Sequence, residues 1–353
     1  MDNQASRGAG RPGRDARAVL PEGIAIGDRV IVRRRLPDTP GHLTDVIGHV
    51  TGLDPFRVRP QSVGGFVSSA PEIEIPFDLV QVVKVLLPRR VLNSDIRAVE
   101  QATAAAFPGI EHLQVDGWLL RAGDGITERS NSAAPLGASA GLSAVPMQAI
   151  EEFYRRHQLP VRLLIPDRIA RSAERLTAGP GWTFGPDIAV MTRSVTDPAP
   201  LTHTEIAHHP ELRVHFTITR QPSKQWLERY HFRGKPLPEH ALRLLMDAID
   251  GTVAFGSLLT PEGRTVAITR GTITATEDGR RWLGYSAVEV DPEYRRRGLG
   301  TLLGRHMLSW GADNGATDAY LQVLDSNEAG KGLYEGLGFV LHHRHRYAQR
   351  QPS

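Results

Sequence analysis

The sequence predicts a mixed α/β (α+β) protein with a small all-β unit ahead of it. Three observations carry that reading. Residues 24–88 alternate apolar and polar side chains in short runs divided by Gly, Pro and Asp. Residues 90–196 and 211–350 each alternate strand-like and helix-like runs. One strand-to-helix joint, 288-VEVDPEYRRRGLGTLLGRHM-307, sets three arginines beside two glycines.

The chain length of 353 residues fits two or three units, at about 100–200 residues per domain. An apolar share of 40% and a charged share of 23% are those of ordinary globular domains. No stretch of about 18 apolar residues occurs, so no membrane partner is expected. The opening MDNQASRGAGRPGRDARAVL lacks the apolar segment of a secretory signal. Without a single cysteine, the chain has no disulfide, thiolate metal site or cysteine nucleophile, which fits a reducing, cytoplasmic location. The fourteen histidines form no H-E-x-x-H pair, and no metal is expected. The net charge of +3 is uneven: residues 1–35 hold eight arginines against four acids, and the remainder is close to neutral.

Residues 1–22, rich in Gly, Arg, Asp and Ala, read as a disordered basic tail. Its charge would attract a phosphate polymer, so nucleic acid is one partner the sequence allows. From residue 24 to 88, GDRVIVRRRLP, TDVIGHVTGLD and EIEIPFDLVQVVKVL alternate with period two. Such runs predict a small barrel, similar to a Src-homology-3-like barrel. Next, NSDIRAVEQATAAAF predicts a helix capped by Ser94. GWLLRAG and ITERSNSAA follow as strands, VPMQAIEEFYRRHQ as a helix opened by Pro146, VRLLIP as a buried strand, then a short helix and GWTFGPDIAVMTRSV. Residues 197–210, rich in Pro, Thr and His, read as a linker.

A second run starts near residue 211. It holds the strand RVHFTIT, a helix from Ser223 through SKQWLERYHF, and a helix around HALRLLMDAI. A meander of GTVAFGSLLT, RTVAITRGTI and WLGYSAVEV comes next. The arginine–glycine joint, its helix, DAYLQVL, NEAGKGLYEGL and FVLHHRHRYA complete it. Both runs close on a helix, a Gly-aromatic pair and a strand ending in Arg, a weak internal repeat.

The joint has the make-up of a diphosphate site. Leu299, Leu302, Leu303, Met307 and Trp310 mark an apolar helical face, so the helix begins near Leu299. A helix N-terminus leaves its first amides without partners and draws anions. Gly298 and Gly300 remove the Cβ atoms that would hold an anion away. Arg295, Arg296 and Arg297 add forked donors. A dinucleotide fingerprint would need a third glycine at Leu303, and no P-loop string occurs.

The pattern Arg-x-x-Gly-x-Gly, here Arg295, Gly298 and Gly300, resembles the coenzyme A pyrophosphate loop of the GNAT N-acetyltransferases. A second motif agrees. Asn327, Tyr334, Gly338 and Phe339 fall at the spacing of the Asn-x-x-Ala-x-x-x-Tyr-x-x-x-Gly-Phe of the last helix in that family, to which the segment is similar, with Ala329 one residue ahead of the alanine position and Gly330 in it. The resemblance covers residues 211–350 well. Over 90–196 it is that of the degenerate first half of tandem, two-lobed GNAT proteins, and it does not extend to the barrel. It implies the GNAT acyl-CoA transferase fold and acetyl transfer from acetyl-CoA, the cosubstrate, to a primary amine.

The same resemblance assigns expected tasks. The strand through Val288, Glu289 and Val290 would part from its neighbour and bond the pantetheine arm with backbone groups. An amide near Val290 would polarise the thioester carbonyl. Residues Arg295 to Thr301, including Leu299, would hold the pyrophosphate. Asn327 would meet the pantetheine and Lys331 a phosphate of coenzyme A. Tyr334 is the expected general acid for the thiolate. Glu289, His231 and Glu128 are open as the base. The acceptor pocket is expected from Trp226 and Tyr230, four apart in SKQWLERYHF, and from residues 125–137 around Glu128. Three acceptor readings stay open: a lysine of a basic, histone-like protein, a small amine, and no acceptor at all in a coenzyme A-responsive, nucleic-acid-binding regulator. Monomer and homodimer are equally allowed.

Overall fold

The computed structural model describes residues 20–351, apart from 38, 40, 63–64, 66, 69, 88, 124, 196–212, 233–234, 237–245 and 247–248. The linker and nearly all of the basic tail fall outside the described residues, as does most of the helix expected around 240–249. The chain divides into two compact units, residues 1–90 and 91–353.

The first unit is a five-stranded antiparallel sheet. Its strands are β1 (Arg29–Arg35), β2 (Leu43–Leu53), β3 (Phe56–Pro60), β4 (Ile73–Glu74) and β5 (Val80–Val85), in the order β4-β3-β2-β1-β5. Period-two alternation puts Val30, Val32, Val46, Val50, Phe56 and Val58 into one core, the reason such a pattern reads as half-buried strand.

The second unit opens with helix α1 (Asn93–Ala106). Its N-cap is Leu92, not the expected Ser94. The Asp95 carboxylate accepts the Leu92 amide at 2.7 Å and so moves the start back to Asn93. Strands β6 (Glu111–Val115), β7 (Trp118–Ala122) and β8 (Ala133–Pro135) follow. Residues 128–130 of the expected strand ITERSNSAA form a single 3-10 turn. Asn131 explains this: its Oδ1 accepts the amides of Gly123 and Gly125, and its Nδ2 donates to the Thr127 carbonyl. Then come α2 (Met147–Arg156), β9 (Arg162–Pro166), α3 (Arg171–Thr177), β10 (Trp182–Phe184) and β11 (Ile188–Ser194).

Beyond the undescribed stretch lie β12 (His215–Thr219), α4 (Lys224–Arg229), and the two-residue strands β13 (His231–Phe232) and β14 (Lys235–Pro236). The helix expected over SKQWLERYHF is thus shorter, and His231, whose backbone alone is described, sits in β13. The meander is β15 (Thr252–Leu259), β16 (Thr265–Ala275) and β17 (Arg281–Val290). The chain ends with α5 (Leu299–Asp313), β18 (Asp318–Leu324), α6 (Glu328–Gly336) and β19 (Val340–Arg350).

Both runs build one sheet, in the order β12-β15-β16-β17-β18-β11-β19-β9-β8-β7-β6. Strand β11 lies between β18 and β19, and β19 lies between β11 and β9. Each run therefore lends its last strand to the other. The sheet has two parallel pairs, β8 with β9 and β17 with β18, and each pair is bridged by a helix, α2 or α5. On one face, Leu283, Tyr285, Met307, Leu321 and Val323 pack together beneath α5. On the other, Val99 and Ala102 of α1 cover Trp282 and Tyr320. Truncating Leu303 or Met307 of α5, both fully buried, would cost about 2–5 kcal/mol.

Candidate active site

The site lies where two neighbouring strands separate. Strands β17 and β18 pair only from Trp282–Gly284 against Asp318–Tyr320. Beyond that point a cleft of about 410 Å³ opens between them. A second irregularity sits on the opposite edge of β17. Its register against β16 shifts between Ile268 and Arg270, and Ala287 takes φ 54°. This is a β-bulge, which re-aims side chains beyond it. After the bulge Glu289 stands opposite Ile268. Directly paired residues share a face, and Ile268 packs with Trp226 and Tyr230. Glu289 thus belongs to the α1 and α4 face of the sheet.

The cleft connects the two faces. On the α5 and α6 side its walls include Tyr285, Val288, Val323, Asn327 and Tyr334. The Tyr334 ring meets Tyr285 edge-on at 6.1 Å and Phe339 at 6.3 Å. Burial pushes its hydroxyl up to about 12, so it keeps its proton at neutral pH. Asn327 caps α6, its Oδ1 accepting the Gly330 amide at 3.0 Å. On the α1 side the walls are Phe107, Arg129, Tyr230, Tyr320 and Gln322.

At the mouth of β17 the chain turns into α5 through Gly298, the N-cap, with φ 74°. Arg296 before it has φ 59°. From Arg296 to Thr301, no backbone amide donates to an acceptor among the described residues. Six consecutive bare amides around a left-handed turn at a helix N-terminus form an anion nest. All three arginines are exposed there. Arg295 is steadied by its Nε, 3.1 Å from the Val290 carbonyl, and Arg297 lies over the Tyr294 ring at 5.5 Å.

The structure brings Val288, Asn327, Tyr334 and Tyr230 together in the cleft wall. Val290 is back in the ladder, opposite Ala267. Lys331 pairs with Glu328 at 2.8 Å and Asp325 at 3.6 Å. Trp226 is not in the cleft wall: it is buried in the core against Phe255, with Nε1 donating to the Thr269 carbonyl. A short helix turns that ring inward and leaves Tyr230, past the helix end, for the cleft. Glu128 is absent from the wall and its neighbour Arg129 is in it. Phe107, Arg129, Tyr320 and Gln322 carried no signal in the sequence. One group of metal-type side chains is present among the described residues, Glu100, His343 and His345. One Glu100 oxygen lies 2.9 Å from His343 Nε2 and 2.6 Å from His345 Nδ1, which are hydrogen-bond distances.

A splayed parallel pair, a bulge beside it and an anion nest on the following helix define an acyl-CoA transferase of the GNAT fold. Comparison with known proteins agrees. Residues 93–348 match the family described as probable histone acetyltransferase Rv0428c C-terminal, and residues 24–72 match the Rv0428c N-terminal Sm-like domain. The chain belongs to this family. It is 36% identical to the probable histone acetyltransferase Rv0428c of Mycobacterium tuberculosis over 92% of this chain and 96% of that one. It is 27% identical to the uncharacterized N-acetyltransferase YobR of Bacillus subtilis over 72% and 98%. Among solved structures, the GCN5-related N-acetyltransferase from Kribbella flavida shares the fold with a TM-score of 0.51, 15% identity and coverage of 74% and 96%. A tandem GNAT protein from the clavulanic acid biosynthesis pathway does so at 0.50, 13%, 75% and 91%. The protein is an N-acetyltransferase. The Sm-like match fits the small barrel expected in front, and no helix among the described residues is long and apolar enough to cross a membrane.

Proposed function

We propose that the protein moves the acetyl group of acetyl-CoA to a primary amine, and that the amine is a lysine side chain of a protein. The observation that carries the cosubstrate is the run of unpartnered amides from Arg296 to Thr301 beside three arginines. A diphosphate satisfies those donors and the positive charge together. Acetyl-CoA supplies an activated thioester; the protein's own groups do the rest. The nest and Asn327 orient the cosubstrate along the parted strands, and the bulge at Ala287 presents backbone to the acyl group.

An alkyl ammonium has a pKa of about 10.4 and must lose a proton before it can attack. Glu289, on the opposite face from the nest helix, is the proposed base. Tyr334 keeps its proton, faces the cleft and is the proposed acid for the departing thiolate. A protein lysine is favoured by the name of the Mycobacterium relative, a probable histone acetyltransferase; a small amine is the alternative acceptor. Calorimetry with coenzyme A, followed by thiol release from acetyl-CoA with a panel of peptides and small amines, tests the reading. Saturable binding and acceptor-dependent release are expected. Failure to bind coenzyme A at millimolar concentration would overturn it; binding without turnover points to a sensor.

A further inference from the structure

The acceptor side of the cleft is cationic, and its charge is fixed in place. Arg129 lines the cleft. Its Nε donates to Gln322 Oε1 at 2.7 Å, and Gln322 is held from its other end by Thr103 at 3.3 Å. Its guanidinium lies over the Phe107 ring at 4.9 Å. The two terminal amino groups of Arg129 have no acceptor among the described residues. A second guanidinium, that of Arg270, lies over the same ring, also at 4.9 Å. Arg270 is fully buried and donates to the Ala106 carbonyl at 3.2 Å. Burial lowers it to about 10; the hydroxyl groups of Tyr230 and Tyr320 act the other way, and Arg129 lowers it further. The two guanidinium groups thus share one aromatic ring, and of the two only Arg129 lies in the cleft wall.

We propose that Arg129 is an anion-recognition residue for the acceptor, and that the amine acetylated here carries a carboxylate close to it. The inference rests on the acetyl-transfer reading above and names its substrate class. The forked, pre-oriented amino groups of Arg129 suit a carboxylate, with Tyr230 and Phe107 flanking it in the same wall. A lysine beside an aspartate or glutamate meets this requirement, as does a small amino acid. A lysine inside a run of arginines does not.

The test uses the full chain and two pairs of acceptors with acetyl-CoA. One pair is an end-blocked peptide with its central lysine flanked by Asp or by Arg; the other is 5-aminovalerate and pentylamine. Within whichever pair turns over, the carboxylate-bearing member should have a kcat/KM at least about tenfold higher, an ordinary worth for one charge-assisted contact. Arg129→Gln should bring that ratio towards one, mostly through KM, while Arg129→Lys retains part of it. Circular dichroism and melting of each variant separate misfolding from lost recognition, and the wild-type ratio needs no variant at all. A wild-type ratio within twofold, or one unchanged in folded Arg129→Gln, overturns the proposal and leaves acetyl transfer standing. Calorimetry of the same four acceptors in the presence of coenzyme A completes it. Arg129-dependent binding of the carboxylate members without turnover upholds the subsite and sinks the transfer reading; neither binding nor turnover overturns both.

Discussion

The sheet contains the same joint twice, and only one copy is fit for an anion. In each, a strand of a parallel pair leads through a loop into the bridging helix. From β8 the loop of residues 136–146 engages several of its own donors. The Gly137 amide reaches the Gly117 carbonyl at 2.7 Å, Ala140 reaches Gly137, and Leu142 and Ser143 both reach Ser139. Helix α2 then starts behind Pro146, which has no N–H to offer. From β17 the loop ends in a left-handed Gly298 and six idle amides. Topology alone therefore does not decide which joint keeps its amides free. The backbone twist at one glycine, and the absence of competing carbonyls, make the difference.

The largest expected effect follows the joints into their next helices. Behind β18, α6 places Tyr334 in the cleft. Behind β9, the equivalent α3, RSAERLT, contains no phenol. Tyr334→Phe should lower kcat by about 10²–10⁴-fold with little change in coenzyme A affinity measured by calorimetry. Wild-type turnover in that variant would remove Tyr334 from the chemistry and leave the nest as the sole functional difference between the halves.

A pair of substitutions separates the joints directly. Gly298→Ala forces a side chain onto φ 74°, a strain of roughly 1–2 kcal/mol, and puts a Cβ beside the nest. Its Kd for coenzyme A should rise about tenfold, equivalent to about 1.4 kcal/mol. At Gly137 φ is −78°, open to any residue, but an added Cβ would stand 2.6 Å from the Gly117 Cα. Gly137→Ala should lower the melting temperature and leave coenzyme A affinity alone. Equal losses of affinity in the two variants would refute the contrast. A smaller effect is expected from Arg296→Asn, which tolerates the left-handed backbone and removes one exposed charge. Affinity should fall about two- to fivefold at low salt, and less at high salt.

The same contrast explains what could be read before folding. The nest and the Asn327–Tyr334 helix are local: each motif lies within some dozen residues, and its physics is that of one helix end or one face. The wall facing the acceptor is not local. Phe107, Arg129, Tyr230 and Gln322 come from separate elements that meet because β11 and β19 cross between the two halves. Arg129 differs from Glu128 beside it only in what the Asn131-braced turn aims at the cleft. Alternation along β17 could not settle Glu289 either, since the bulge at Ala287 resets the face. Trp226 and Tyr230 looked equivalent four residues apart, and the end of α4 between them sent one inward and the other to the cleft.

The seam between the halves gives the smallest effect, and its sign can be worked out. Glu100 of α1 is buried against His343 and His345 of β19, and His342 Nδ1 lies 2.8 Å from His343 Nδ1. Burial, aided by His343, holds His342 down to about 3. Burial alone would raise Glu100, but the two histidines outweigh it and hold the carboxyl far below its usual range. Both groups bind protons more readily in the unfolded chain, so stability falls as pH falls. His342 acts first, below its ordinary value of 6.5. Glu100 joins below its ordinary value of 4.5, which steepens the loss. Between pH 7 and 5 the His342 contribution should be of order 1 kcal/mol, allowing for its partial exposure. Thermal melts across this range should show the decline, and His342→Asn should flatten its upper part while keeping the steep fall in acid. A wild-type melting temperature that holds level from pH 7 to 5 would mean that the seam takes up its proton without opening, and that the halves are joined more tightly than this histidine pair implies.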